Sequence, residues 1–140
     1  MFLEVISNSV EETLIIAKTL TKTLCKGDII LLNGDLGAGK THFAKGIAIG
    51  LDIKDTVTSP TFTIMNVYYG GSIPFFHIDM YRTESEDEVY ELGLEEYIYG
   101  NEGITAIEWN KYKDFKNQRV FEINIRRLDD EKRAITIGRR

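Results

Sequence analysis

The chain has 140 residues, 43% of them apolar and 28% charged, with a net charge of −5; this describes one globular domain, 1–140, large enough to bury a core. Its basic clusters, such as Arg126-Arg127 and Arg139-Arg140, are short pairs near the end of the chain, so it is a poor stand-alone binder of DNA or RNA, which needs clustered Lys and Arg. No apolar run approaches the roughly 20 residues of a membrane span, Met1-Phe2-Leu3-Glu4-Val5 has no signal-peptide pattern, and Cys25 alone with two scattered histidines gives neither an internal disulfide nor a zinc site. A reducing cytoplasm fits, with Cys25 read as a buried or half-buried thiol.

Phe2 to Ser7 is a plausible first strand. Ser9 followed by Glu12 has capping-box spacing. Val10, Leu14, Ala17 and Leu24 then share a helical face, so Ser9 to Leu24 reads as the first helix, closed by Gly27. Asp28 to Asn33 is a short apolar run that reads as a buried strand. Thr41 to Leu51 reads as a second helix, with Phe43, Ile47 and Leu51 at helical spacing. A polar loop follows, 52 to 60. Thr61 to Tyr69 and Ile73 to Asp79 read as two strands joined by the turn Gly70-Gly71-Ser72, a hairpin that makes the sheet partly antiparallel. Glu84 to Glu91 is predicted to be helical, with Ser85 and Glu88 at capping spacing, and Glu95 to Tyr99 a second short helix after Leu92-Gly93-Leu94. Ile104 to Trp109, Val120 to Arg126 and Ala134 to Ile137 complete the strands. The expected class is α/β with a mixed sheet.

The chemistry sits between the second strand and the second helix. Gly34-Asp35-Leu36-Gly37-Ala38-Gly39-Lys40-Thr41 fits G-x-x-x-x-G-K-[ST], in the strand–loop–helix setting that a phosphate-binding loop requires. Its glycines let backbone approach a phosphate. Loop amides and the helix N-terminus then point at the anion. Lys40 is placed to reach the outer phosphates and Thr41 to offer its hydroxyl to magnesium. A nucleotide hydrolase also needs carboxylates at strand ends. Two apolar strands supply them, ending in Asp79 and Glu108. Strand ends on the side of the loop converge on one crevice. Glu108 is the better match for a magnesium site and Asp79 for positioning water, although the two roles can be exchanged. Thr58-Ser59-Pro60-Thr61 reads equally as a γ-phosphate-sensing loop or as a turn into a strand. Trp109 can pack in the core or lie near the site, with packing the default; His77 is read as a satisfied strand residue; His42, in the first helical turn, can face solvent and is counted with the loop among the candidate nucleotide-binding residues.

Asn110-Lys111-Tyr112-Lys113 lacks the carboxylate of a guanine-binding Asn-Lys-x-Asp, which argues for ATP. A small-molecule kinase or a non-catalytic nucleotide-gated module are the competing readings; the segment between Asp79 and Glu108, acidic with the single arginine Arg82, gives poor support to a kinase lid.

Taken together, the phosphate loop, Thr58-Ser59-Pro60-Thr61-Phe62, His77-Ile78-Asp79-Met80-Tyr81-Arg82 and Ile107-Glu108-Trp109 resemble, in order and spacing over nearly the whole chain, the TsaE (YjeE) family of small bacterial ATPases required for threonylcarbamoyladenosine formation in tRNA. The resemblance implies a P-loop NTPase-like three-layer fold, a mixed central sheet flanked by helices. It implies ATP and Mg2+ binding with Thr41 and Glu108 near the metal and Asp79 needed for hydrolysis. It further implies contacts to ATP from around Glu11 and Arg133, and action with the TsaB and TsaD proteins, tRNA being met only through the complex. TsaD would carry the transferase chemistry, and this subunit, a poor ATPase alone, would reset the complex between turnovers. Departures are small: His42 stands where the family more often has a second small hydroxyl residue, and Met80 where leucine is common.

Overall fold

Strand β2 (Ile29–Asn33) is buried along its apolar length and hydrogen-bonded on both edges, in parallel with β5 (Ile104–Glu108) and with β6 (Val120–Arg127). Its sequence explains the position. A near-continuous run of Ile and Leu has no polar side to offer water, so it belongs in the middle of a sheet covered on both faces. The computed structural model describes residues 2–140. Around β2 it builds one seven-stranded sheet, in the order β1 (Phe2–Ser7), β7 (Arg133–Arg139), β6, β2, β5, β4 (Phe75–Asp79), β3 (Met65–Tyr68). The four central strands β6-β2-β5-β4 run parallel, and both flanks are antiparallel. The sheet is therefore mixed, as expected, with helices on both faces.

Alternation along β2 assigns the layers. Ile30 and Leu32 join Phe43, Ala44 and Ile47 of α2 (Lys40–Gly50) and Ala17 of α1 (Val10–Leu20) in one core. Ile29 and Leu31 join Val89 of α3 (Glu86–Glu91), Ile98 of α4 (Glu95–Tyr99), Leu94 and Tyr112 on the other face. Phe43 is fully buried, which contributes about 1.5–3 kcal/mol and seats the first turn of α2 on the sheet. Both predicted N-caps form: the Glu12 amide donates to Ser9 Oγ at 3.1 Å, and the Glu88 amide to Ser85 Oγ at 3.2 Å.

Two element boundaries and the burial of one residue differ notably from expectation. The first α-helix ends at Leu20, and Thr21–Thr23 form a 3-10 turn. The hydroxyls of Thr19, Thr21 and Thr23 each donate back to a carbonyl three or four residues earlier, and such competition loosens the last turns of a helix. Thr61 to Ile64 is a turn rather than strand, and β3 begins only at Met65. Ile64 has φ 71°, and its carbonyl accepts the Asp79 amide at 2.8 Å. Strand propensity loses here to the bond that ties this loop to the end of β4. Cys25 is exposed, not buried: in the connection from Leu24 to Asp28 it stands with Lys26 on the outside of a turn whose other residues are buried.

Helices α1 and α2 lie side by side and parallel: Gly46 faces Leu14 and Ala17, and one turn on Gly50 faces Thr21. A Cβ on Gly46 would lie 2.6 Å from Ala17 Cβ and 2.7 Å from the Leu14 carbonyl oxygen. Ala at a helix interior gains about 1 kcal/mol over Gly, but overpacking against backbone costs about 1–3 kcal/mol. Gly46→Ala is therefore expected to lower the melting temperature by a few degrees and Gly46→Leu by more. A thermal melt in which Gly46→Ala gains stability would contradict this helix contact.

Candidate nucleotide-binding site

The loop 34–39 leaves β2 and enters α2 with Gly34, Gly37 and Gly39 at φ 156°, 79° and 110°. These are left-handed values that a side chain opposes. Gly39 is the residue before α2 and carries no side-chain cap, so the amides of the first turn stay available to an anion.

Parallel register brings the two carboxylates to this loop. Asp79, the last residue of β4, pairs with Glu108, the last of β5, and Glu108 pairs in turn with Leu32 one residue before the end of β2. The loop, Asp79, Glu108 and Trp109 thus border one cleft of about 280 Å3, whose wall also includes Thr41 and Ser59. A larger groove of about 620 Å3 lies between α1 and strands β1 and β7, but it is lined mainly by apolar side chains such as Leu3, Ile15 and Ile137. Arg119 and Arg139 also line it, but it lacks the glycine loop and the carboxylates of the smaller cleft.

Within the cleft Lys40, Asp79 and Glu108 each have a defined partner. Lys40 is almost fully buried; its Nζ donates to the Gly34 carbonyl at 2.6 Å and lies 3.9 Å from the centre of the Trp109 ring. Burial lowers the Lys40 pKa, and the negative charges of Glu108, Asp79 and Asp35 oppose that shift. Asp79 has both oxygens engaged: Oδ1 accepts the Tyr81 amide at 2.8 Å and Oδ2 the Thr61 hydroxyl at 3.1 Å. Glu108 has one engaged. Its Oε2 lies 2.6 Å from His77 Nε2, and Oε1 is left without a protein partner in the cleft wall. Trp109 takes φ 55°, rare for a bulky residue, and its ring centre lies 5.0 Å from that of Tyr81 at a tilt of 56°.

Arg133, at the start of β7, borders the cleft and fastens the loop. Its Nε donates to the Ala38 carbonyl at 2.7 Å, and its Nη1 to the carbonyls of Asp129, Asp130 and Lys132 at 2.8, 3.4 and 3.0 Å.

The predicted residues thus divide clearly. Leu36, Gly37, Gly39, Lys40, Thr41, His42, Asp79, Glu108 and Arg133 border the cleft. Gly34, Asp35 and Ala38 belong to the loop behind it. Glu11 is exposed on the first turn of α1, at the same end as the first turn of α2, but outside the cleft wall. Trp109 and Tyr81 are cleft residues: the sequence suggested packing for Trp109, and its positive φ turns it to the site instead. His42 lines the cleft rather than facing only solvent. His77, read as a plain strand residue, is bonded to Glu108. The signal was present: in the strand alternation His77, Asp79 and Glu108 share a face, but only the pairing of β4 with β5 brings them together.

Residues 7–135 match the family model described as "Threonylcarbamoyl adenosine biosynthesis protein TsaE". The chain belongs to the TsaE family. It is 46% identical over 127 residues to the tRNA threonylcarbamoyladenosine biosynthesis protein TsaE of Bacillus subtilis, covering 90% of this chain and 78% of that one. It is 42% identical over 136 residues to the TsaE of Rickettsia bellii, covering 96% and 93%. The crystal structure of Bacillus subtilis YdiB superposes with a TM-score of 0.80 at 38% identity, over 98% of this chain and 84% of that one. The stretch matched by the TsaE model contains every cleft residue, Arg133 included.

The guanidinium of Arg133 bridges four carbonyls, a fork that an ammonium cannot reproduce. Arg133→Lys is expected to loosen this tether and lower the melting temperature by a few degrees, since hydrogen bonds to charged groups contribute about 1.5–3 kcal/mol. A thermal melt of Arg133→Lys that matches the wild type would mean that charge, not tethering, is what this position supplies.

Proposed function

We propose that this chain binds and hydrolyses ATP with magnesium and acts, with the TsaB and TsaD proteins, in the threonylcarbamoyl modification of tRNA adenosine. The role in threonylcarbamoyladenosine biosynthesis is that of its family. The nucleotide chemistry rests on one observation: Lys40, Thr41, Asp79 and Glu108 face a single cleft at the mouth of α2.

The donor set suits magnesium. A threonine hydroxyl and two carboxylates are hard oxygen ligands, and no group of three or more His, Cys, Asp or Glu among the described residues makes a metal cage by itself. Magnesium favours this arrangement, taking one or two protein oxygens and completing its shell with substrate phosphates and water. Thr41 and the open Oε1 of Glu108 would hold it, and the ion would neutralise charge on the phosphates. Lys40 is poised to exchange the Gly34 carbonyl for phosphate oxygens. Asp79, fixed by Tyr81 and Thr61, is placed to orient water, and Thr61 carries its position into the loop 58–64.

A kinase lid is disfavoured by packing. The segment between Asp79 and Glu108 buries Val89, Leu94 and Ile98 against the sheet, so it is committed to the core. The net charge of −5 suits docking on partner proteins more than on tRNA directly. No helix among the described residues is long and apolar enough to cross a membrane, and the exposed, unpaired Cys25 suits the cytoplasm where tRNA is modified.

Lys40→Ala is expected to weaken ATP binding about ten- to hundredfold, from the loss of about 1.5–3 kcal/mol of charge-assisted contact; full affinity and rate would refute the site. Asp79→Asn is expected to keep ATP affinity and lose turnover, and equal loss of both would move Asp79 out of the water-positioning role. Hydrolysis by the wild type should be slow alone and rise when TsaB and TsaD are added. Unchanged hydrolysis, with no complex on gel filtration, would count against the partnership.

A further inference from the structure

His77 and Glu108 form the shortest polar contact between buried side chains in the site, 2.6 Å from Nε2 to Oε2, with His77 fully buried and Glu108 4% exposed. The other ring nitrogen, Nδ1, is buried with no hydrogen-bond partner, and the ring stacks on Phe75 at 6.0 Å. A neutral ring arranged so that Nε2–H donates to the carboxylate leaves only a bare lone pair at Nδ1, the less costly orphan. Such a histidine cannot touch a nucleotide. It can decide where a carboxylate points.

Glu108 needs that decision. Lys40 lies close enough that the Glu108 charge acts on its ammonium, and an unrestrained carboxylate would be drawn into a direct ion pair with it, consuming both groups. With Oε2 held by His77, Glu108, a residue of the cleft wall, keeps Oε1 free of a protein partner, and Lys40 remains on Gly34 and Trp109. From this geometry, and resting on the magnesium reading above, we propose that His77 is a positioning residue: it orients Glu108 so that one oxygen is presented to the metal, directly or through its water, and keeps Lys40 for phosphate. Outer partners of metal-binding carboxylates and imidazoles contribute about 10–100-fold to metal affinity in other proteins.

The test follows Trp109, the only tryptophan of the chain and part of the cleft wall, by fluorescence during ATP titrations in magnesium and in EDTA. Mn2+ binding to the protein–ATP complex, by electron paramagnetic resonance, is the metal readout. His77→Phe keeps the ring and removes the donor; His77→Gln keeps a donor of similar reach. Expected for His77→Phe is Mn2+ affinity about tenfold or more weaker, kcat reduced with KM for ATP little changed, and ATP affinity in EDTA within about twofold of wild type. His77→Gln should recover most of the loss. Should His77→Phe not fold, His77→Asn, whose amide falls short of Glu108, takes its place beside His77→Gln. A folded His77→Phe or His77→Asn with wild-type Mn2+ affinity overturns the proposal. So does an equal loss of affinity in EDTA, or a His77→Gln as impaired as the variant without reach, because both describe a merely structural histidine. Wild-type ATP binding indifferent to magnesium would instead remove the metal reading itself, and the proposal with it.

Discussion

The site depends on the pairing of β5 between β2 and β4. Parallel bonds in fixed register set Asp79 beside Glu108, and Glu108 beside Leu32, just before the phosphate loop leaves β2. A slip of one residue in either ladder would turn every carboxylate to the opposite face. Register is protected by burial: all five residues of β4 and all five of β5 are buried. The same side chains that build the two cores therefore hold the chemistry in place, and the polar residues stand at the strand ends, where the apolar sequence stops.

Placing a lysine and two carboxylates in a half-closed cleft invites them to neutralise one another. Burial penalises each charge, and a collapsed ion pair would leave nothing for a ligand. The structure avoids this by giving each group another partner. Lys40 has a carbonyl and an indole face, Asp79 an amide and a hydroxyl, Glu108 an imidazole. Asp79 differs from Glu108 in one respect that separates their roles: its second oxygen is bonded to Thr61, on a loop that makes no regular structure, whereas Glu108 is bonded to a residue locked inside the sheet. One carboxylate is tied to a connecting turn, the other to a fully buried strand residue.

Much of this was legible in the sequence. The loop motif, the apolar runs ending in Asp79 and Glu108, both capping serines and the α/β class follow from local pattern, because each is a rule about neighbours in the chain. Arg133 was legible only through resemblance to relatives. Its guanidinium meets Ala38 across ninety-five positions of sequence, and no local pattern marks a residue whose partners are carbonyls. Thr61 to Ile64 misled because Thr, Phe and Ile favour strands, while the bond from the Asp79 amide to Ile64 decides the backbone there. Trp109 misled in the same way: an aromatic residue after a strand packs inward by default, and only its positive φ turns it to the cleft. Cys25 was misjudged from residue type alone, since a thiol carries no signal of which side of a turn it occupies.

The molecule carries a net charge of −5 and yet presents a phosphate cradle. A long-range field of that sign repels a polyanion, so attraction has to be local. The available elements are short-range: uncapped amides at the start of α2, one buried ammonium, and the guanidinium of Arg133 anchored to the loop. Amide dipoles act within about the first helical turn and need no net charge. Acidic residues concentrate elsewhere, three of them in the first turn of α3, on the face of the sheet away from α2. Selection by fixed geometry rather than by overall field has a consequence for tRNA, whose phosphate backbone is far larger than one nucleotide tail. Under the proposed function, a cleft of about 280 Å3 meets the tail of a mononucleotide by these short-range contacts alone. On that reading the net charge of −5 leaves the polyanion to the partner proteins.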